Sequence, residues 1–526
     1  MKRAAAALMA ACALAAPSVV LSEPAAASRA AFSLDADVAR ALRLFGVPGL
    51  SIAIVKDGKV VSARGYGVRK LGEAAPVDGK TLFEIASNSK GFTAALLAML
   101  VDEGKLAWDD PVIQHLPEFQ MHDPVVTREL TVRDLLVHRS GLGLGAGDLM
   151  WWPTSTLSGD DIIHRLRFIR PATSFRSAYA YDNLLYIVAA KIIERKTGRS
   201  WGEAVRERIL APVGMRSTTT SVAANAGNPD VAAAHSLIDG KTSVVKQFPV
   251  PNAAGAVGIN SNAEDMALWM KTLLDGGSAG GRQLWSDARM RELWSAQTPM
   301  PIRDPDPALA ATKPNFLAYG LGFQLRDYKG MKVVQHSGAL LGAYSRVVMV
   351  PEAHLGIAIL SNAENSGVLT ALQYRLLDHY LGGTQADWIA LTRQADDAAH
   401  ARELAALAKA AGARAAQSRP ALPLAAYAGD YRDAWYGVVN IAERGGKLAL
   451  RFTNTPDLEG ELEHFQYDSF IVRWKQRNLN ADAYVTFSLN PDGSIERMKM
   501  APVSSETDFS YDFADLLFTP AGKAAP

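Results

Sequence analysis

Phe83-Glu84-Ile85-Ala86-Ser87-Asn88-Ser89-Lys90-Gly91-Phe92 is the stretch on which the fold turns. It opens a helical pattern over 87–105, in which Phe92, Ala95, Leu96, Met99 and Leu100 recur at helical spacing and Gly104 marks the end. Ser87 and Lys90 then lie one turn apart on one face. Serine is a poor nucleophile until a base takes its proton. A lysine can be that base when burial or neighbouring cations bring its pKa toward neutrality. The helix N-terminus adds donors for the charge that develops on an attacked carbonyl oxygen. Taken alone, Ser-x-x-Lys equally describes a helix cap followed by a surface lysine. A second copy, Ser243-Val244-Val245-Lys246, lies in a polar, loop-like region and is set aside.

Two further elements complete a constellation. Tyr181-Asp182-Asn183 stands just before an apolar helical stretch. Tyr181 could pass the proton between Ser87 and a leaving group, and Asn183 could hold a substrate amide and orient Lys90. Tyr179 competes for the tyrosine role but lacks an Asn two residues on. Downstream, His336-Ser337-Gly338-Ala339 ends an apolar strand that contains Val333-Val334. A strand edge beside the nucleophile can pair with an extended substrate, and Ala339 can lend a backbone N–H to an oxyanion hole.

These three elements, in this order, resemble the serine β-lactamase and penicillin-binding-protein superfamily, in particular its class C, esterase and D-peptidase branch. The resemblance covers about residues 40–383. It extends to Leu135-Leu136-Val137-His138-Arg139-Ser140-Gly141-Leu142, Leu210-Ala211-Pro212-Val213-Gly214-Met215, Ala254-Gly255-Ala256-Val257 with Asp265, Tyr319-Gly320-Leu321-Gly322-Phe323, and Gly356-Ile357-Ala358-Ile359-Leu360-Ser361-Asn362. It implies Ser87 as nucleophile, Lys90 and Tyr181 as the base system, and the N–H groups of Ser87 and Ala339 as the oxyanion hole. Asn183, His336, Ser337, Gly338 and Ala339 are the substrate-binding candidates. Where many β-lactamases of the superfamily carry Lys-Thr-Gly, this chain has His336-Ser337-Gly338. A literal Lys196-Thr197-Gly198 ends the helix begun near Asn183, and so cannot be that strand. A histidine that titrates near about 6.5 would bind a carboxylate less constantly than lysine does, and less well as pH rises. That departure favours peptidase or esterase activity over β-lactam hydrolysis.

Around the constellation, Leu50–Val55 and Val60–Tyr66 form a hairpin across Lys56-Asp57-Gly58-Lys59. Helical patterns follow near 131–138, 183–197 and 262–275. Strands follow at 318–326, 331–336, 344–350 and 355–361, then a helix near 366–381. Strands at both ends with helices between describe an α/β unit over 33–383, a largely antiparallel sheet flanked by helices with an all-helical subdomain. Residues 384–418, rich in Ala, Arg and Glu, are expected to be a helical linker. From 420 to 526 short alternating runs separated by Arg444-Gly445-Gly446 and Asn490-Pro491-Asp492-Gly493 indicate a small all-β barrel. Tyr427-Ala428-Gly429-Asp430-Tyr431 and Tyr436-Gly437 give it the look of the lipocalin-like domain appended to some peptidases of the superfamily. Its aromatics Tyr427, Tyr431, Trp435 and Tyr436 supply either a substrate-binding wall or the barrel core. The barrel is expected to govern which substrates reach Ser87.

The 526 residues carry 55 basic and 54 acidic side chains, a balance that speaks against a nucleic-acid partner. No metal-binding pattern such as His-Glu-x-x-His is present, and no cofactor is expected. Lys2-Arg3, the apolar run over 4–16 and Ala25-Ala26-Ala27 have the layout of a signal peptide over residues 1–27. The run is too short for a stable membrane span. Cys12, the single cysteine, lies inside it, so the processed chain would hold no thiol or disulfide. The expectation is a periplasmic or secreted bacterial serine hydrolase that takes small-molecule, peptide or ester substrates through an acyl-enzyme. A β-lactamase, or a receptor that acylates slowly, is the alternative. The pattern leaves the oligomeric state open.

Overall fold

The structure, a computed structural model, describes residues 32–383, 386–415 and 417–522. Residues 1–27, expected to be a signal peptide, lie outside the described residues. The hairpin forms as its turn chemistry requires: Gly49–Lys56 and Lys59–Gly67 are joined through Asp57 and Gly58, both at positive φ. Eight antiparallel strands make the main sheet. Their order is Lys59–Gly67, Gly49–Lys56, Leu355–Ser361, Ala343–Val350, Met331–Leu340, Gln324–Tyr328, Leu317–Tyr319 and Thr298–Pro299. The two chain ends of the unit therefore pair with each other near one edge of the sheet, with Leu50–Lys56 against Leu355–Ser361.

Period-two alternation divides the sheet between two cores. Ile52 and Ile54 point to the terminal helices Leu34–Phe45 and Ser366–Leu381, where they meet Val38, Phe45, Val368 and Leu372. Ala53 and Val55 point to the other face, which packs on the helix Ala263–Leu274 and shares its apolar core with the helix Ser89–Asp102. That helix is apolar on every side, and all residues from Ser89 to Leu100 are buried. A helix of this kind sits in the middle of a domain, and here it fixes Ser87 and Lys90 between the sheet and the helical layer.

Three sequence expectations change in detail. The pattern near 131–138 is one 3-10 turn, Asp134–Leu136, inside an otherwise irregular segment. The strand over 318–326 breaks into two at Gly320–Phe323, where Gly322 has φ +82°. The strand over 331–336 continues to Leu340, so Ser337, Gly338 and Ala339 lie within it.

Residues 388–412 form one long helix. Trp388 and Ile389 anchor it in the terminal-helix core, and Glu403 accepts a hydrogen bond from Ser504 at 2.6 Å. Beyond it, eight antiparallel strands curl into a nearly closed barrel, whose last strand Thr519–Pro520 pairs with Gly429–Asp433 while Phe518 bridges to Met498. Tyr427, Tyr431, Trp435 and Tyr436 are buried in its core. They are not a substrate wall: Tyr431 on its strand, Tyr427 in a 3-10 turn and Trp435 and Tyr436 in the turn between strands all pack into the apolar core. The barrel docks on the helical subdomain, and the apolar core runs unbroken from one unit into the other. Arg165 Nη1 donates to the carbonyls of Trp435 and Tyr436, and Thr455 Oγ1 to that of Leu149.

Candidate active site

Ser87 occupies a short 3-10 turn, Ala86–Asn88, that leads into the buried helix. The chain enters through Ala86 at φ +48°, a conformation a non-glycine residue adopts only when its surroundings enforce it. Those surroundings are tight. The Ser345 hydroxyl donates to the Ile85 carbonyl at 2.7 Å and accepts from the Asn88 amide at 2.7 Å. Gly338 crosses so close that a Cβ there would lie 2.1 Å from the Ile85 oxygen, so the Gly of the His-Ser-Gly triplet is needed for the strand to approach the nucleophile.

Lys90 is fully buried. Its Nζ donates to Ser87 Oγ at 3.2 Å, to Asn183 Oδ1 at 2.7 Å and to the Ala256 carbonyl at 3.3 Å. All three partners are neutral. Burial therefore dominates and brings the ammonium down to about 7, against the opposing pull of Asp148 and Asp182. The Tyr181 hydroxyl lies close to Ser87, and its ring is 4.8 Å from Lys90 Nζ. Burial pushes the Tyr181 phenol well above its usual range, so it remains protonated. Tyr179 lines the same pocket and packs edge-on to His138.

Asn183 is held from behind. Its Nδ2 donates to Asp148 Oδ2 at 2.7 Å, and Asp148 Oδ1 accepts from the Trp151 indole at 2.8 Å. Asp148 has no exposed surface, and burial raises its carboxyl to about 7. It follows the glycine-rich run Gly141–Gly147, where Gly147 takes φ +79° and has no room for a side chain beside Ile169 and Leu184. That run of glycines ending in an Asp was the sequence signal for this residue.

His336 is also buried. Its Nε2 pairs with the Tyr319 hydroxyl at 2.8 Å, and its Nδ1 faces the Ser337 carbonyl at 2.6 Å. Burial and the nearby Lys90 lower it to about 3. The expectation of a histidine titrating in the neutral range is corrected accordingly: a desolvated imidazole beside a cation stays neutral. His138 behaves the same way; it accepts the Asp182 N–H at 3.1 Å and is held far below its usual range by burial, Lys90 and His336. Ser337 and Ala339 are exposed, and the Ser337 hydroxyl accepts from Arg346 Nε at 3.2 Å.

The site strand offers an open edge. Met331–Leu340 pairs with Gln324–Tyr328 only as far as Gln335, yet with Ala343–Val350 all the way to Leu340. On one side, His336–Ala339 face a cavity of about 270 Å³ that also exposes Ser87, Tyr181 and Asn183. The barrel supplies part of its wall through Asp508, Phe509 and Ser510. A neighbouring cavity of about 480 Å³ shares Trp152, Ala339 and Asp508 with it. No residue pattern singled out Asp508–Ser510, which lie between strands in a loop without motif. Of the remaining Lys-containing motifs, Lys196-Thr197 ends a helix capped by Gly198 at φ +67°, and Ser243 and Lys246 lie on or beside a two-stranded hairpin.

The family-like stretches serve this geometry as braces. Asp265 accepts from Ser217 N, Thr218 N and Thr218 Oγ1, and Asn362 Oδ1 accepts from Gly49 N at 2.8 Å. The model of the family described as Beta-lactamase matches residues 34–381, and that of a domain of unknown function (DUF3471) matches 413–520. The unguisins hydrolase ungD' of Aspergillus campestris is 30% identical over 493 residues, 88% of each chain. Penicillin-binding protein 4 of Amycolatopsis lactamdurans is 30% identical over 349 residues, 64% of this chain and 85% of its own. The octameric penicillin-binding protein homologue from Pyrococcus abyssi shares the fold, with a TM-score of 0.57 at 21% identity over 92% of this chain and 99% of its own. With two thirds of its length matched by the family model and a relative aligned along most of the rest, the chain belongs to the beta-lactamase family.

Proposed function

We propose that the protein is a serine hydrolase that cleaves peptide or amide bonds through an acyl-enzyme on Ser87, with D-amino-acid-containing peptides as the favoured substrates and esters as secondary ones. The observation that carries this reading is the fully buried Lys90 amine within hydrogen-bonding distance of the Ser87 hydroxyl, with only neutral partners around it. Near neutral pH a substantial share of Lys90 is the free amine, able to accept the Ser87 proton as Oγ attacks the carbonyl carbon. The N–H groups of Ser87 and Ala339 are assigned to the developing oxyanion. Tyr181, still protonated, hands a proton to the leaving amine or alkoxide and is reprotonated from Lys90. Water then attacks the ester to Ser87 and releases the acid.

Peptides are favoured for two reasons. The free edge over His336–Leu340 offers backbone donors and acceptors to an extended chain. The adjoining cavity also leaves room for residues beyond the scissile bond. β-Lactams rank lower. His336 is neutral, and the residues lining the nucleophile pocket include no Lys or Arg but do include Asp508, so a substrate carboxylate finds no counter-ion there. The relative from Aspergillus campestris is by name a hydrolase of unguisins, and a peptide substrate for this chain agrees with that name. The leader-like N-terminal segment supports export to a periplasm or exterior as part of the proposal.

The test is a panel of D-aminoacyl amides, D-containing peptides, short-chain esters and a cephalosporin, with intact-mass detection of the acyl-enzyme. The reading predicts highest kcat/KM on a D-containing amide or peptide and label on Ser87. Turnover of the cephalosporin above every amide would replace it with a β-lactamase. One equivalent of adduct without turnover on any substrate would replace it with a slowly acylating receptor.

A further inference from the structure

The barrel reaches the groups behind Asn183 through the Ser510 side chain. The Ser510 hydroxyl donates to Asp148 Oδ2 at 2.9 Å, on the same oxygen that accepts the Asn183 amide. Ser510 and Asp148 are both buried, and 362 positions separate them in sequence. The barrel segment is clamped on either side of the contact. Ser510 N donates to Asp508 Oδ1 at 2.8 Å, and the Gly147 N–H donates to Asp512 Oδ2 at 2.7 Å. The first bond shapes the barrel loop around Ser510, and the second anchors that loop to the one that carries Asp148.

We propose that Ser510 is a positioning residue of the catalytic site: its hydroxyl keeps Asp148 ionised and turned to Asn183, and so sets the pH at which Lys90 becomes available as the base. The inference rests on the acyl-transfer reading above. An amide has one donor end and one acceptor end, and an ionised carboxylate can only accept. While Asp148 is an anion, Asn183 must turn Nδ2 to it and present Oδ1 to Lys90, which is the arrangement observed. A protonated Asp148 would donate instead and remove the reason for that orientation.

The charged and titratable groups around the pair act in known directions. Asp148 is pushed up by burial and by Asp182, and held down by the donors Trp151, Asn183 and Ser510. Asp512 faces it across the domain contact. Lys90 faces Asp148 and Asp182, which favour its ammonium form. His138 and His336 lie close enough for Lys90 to depress both, and are neutral. The rings of Tyr181 and Tyr186 flank the amine. Removing the Ser510 hydroxyl weakens the Asp148 anion, so Asp148 keeps its proton to higher pH. With less negative charge facing it, Lys90 releases its own proton at lower pH. The acid limb of the rate profile then moves down.

The experiment measures kcat/KM against pH on a chromogenic short-chain ester with full-length protein, comparing the natural chain with Ser510→Ala, Ser510→Thr, Ser510→Cys, Asp148→Asn and the Asp148→Asn/Ser510→Ala double variant. The expected shift for Ser510→Ala is about half a unit to one unit toward acid, the scale of one lost hydrogen bond to a coupled carboxylate. Ser510→Thr should restore the limb, and Ser510→Cys, a weaker donor, should fall between. Asp148→Asn should move the limb at least as far, with no further shift from Ser510→Ala in that background. An unmoved limb in Ser510→Ala, or an equal shift with Asp148 already replaced, overturns the inference. Undiminished turnover by Ser87→Ala would instead overturn the acyl-transfer reading, and the inference with it.

Discussion

Around Lys90, the rings of Tyr181 and Tyr186 stand 4.8 and 5.1 Å from the amine, and His138 packs between Tyr181 and Tyr319 at 4.3 and 4.4 Å. In the barrel a second cluster is as dense: Tyr436 lies 5.0 Å from Phe452, Phe452 5.9 Å from Trp474, and Tyr427 4.9 Å from Phe487. The two clusters differ in what they enclose. The first surrounds an amine and excludes the water that would keep it charged. The second encloses no amine, and its hydroxyls are tied to nearby acceptors, Tyr431 to the Tyr427 carbonyl, Tyr436 to Thr455 and Tyr427 to Asp468. Aromatic density is thus a poor guide to function unless an ionisable group lies inside it. The barrel's contribution to the site comes from its loop at Asp508–Ser510, where strand packing makes no demand on the side chains.

The largest effects should separate the clusters outright. Lys90→Ala and Tyr181→Phe should each lower kcat by at least about two orders of magnitude, the usual scale for losing a proton-transfer group. The double variant should cost little more than either, since both serve one proton path. In the natural protein kcat/KM should rise with pH through about 7, because the free amine is the active form and burial places that titration there. Tyr436→Phe, in the barrel cluster, should leave kcat unchanged and cost about 2 kcal/mol of stability for its two lost hydrogen bonds, to Thr455 and from the Asn454 N–H, read by thermal melting. Comparable kcat losses at Tyr181 and Tyr436 would erase the distinction.

A smaller effect tests the loop. Phe509 is partly exposed and its ring meets Tyr181 edge-on at 5.9 Å. Phe509→Ala should change relative kcat/KM between a short ester and a longer peptide several-fold, with less change in ester kcat, because remote contacts count only for substrates that reach them. Equal ratios in the variant would confine the barrel's role to Ser510. A truncation ending near residue 417 would not make this comparison. It would strip the barrel half from a continuous apolar core and remove Ser510 as well.

His336 should show almost no effect of its own on the pH profile between about 5 and 9, since burial and Lys90 hold it neutral well below that range. His336→Gln should leave the acid limb in place while raising KM, measured on the same ester and peptide pair. A limb that moves with this substitution would return His336 to the list of titrating groups.

Much of the site was legible because its chemistry is local. Ser87 and Lys90 are three residues apart on one helix, Tyr181 and Asn183 two apart before another, and His336–Ala339 contiguous on a strand. Spacing and residue type carry such units. Legibility failed where a role depends on packing against a distant segment. Asp148 becomes part of the relay only because a glycine-rich loop folds it under Asn183, and Ser510 only because the barrel docks there. His336 looked titratable because sequence does not report desolvation. The aromatics at 427–436 left wall and barrel core open, because spacing alone does not say which way they turn.

The smallest effect concerns the contact that brings the barrel loop to the site. Asp512 is buried against Gly147, and burial, with Asp515 and Asp148 nearby, raises its carboxyl to about 9. In the unfolded chain it would titrate near about 3.9. The folded state therefore binds a proton that the unfolded state releases over the intervening range, and stability must fall as pH rises from the unfolded value toward the folded one. Asp512→Asn keeps the acceptor oxygen for Gly147, supplies an N–H for Asp515 and removes the titration. Its melting temperature should exceed that of the natural chain by a margin that widens from pH 5 to pH 9, with ester turnover at neutral pH retained. The same margin at both ends of that range would mean that Asp512 is ionised in the folded protein, and that the barrel is docked by packing alone without a buried proton at the seam.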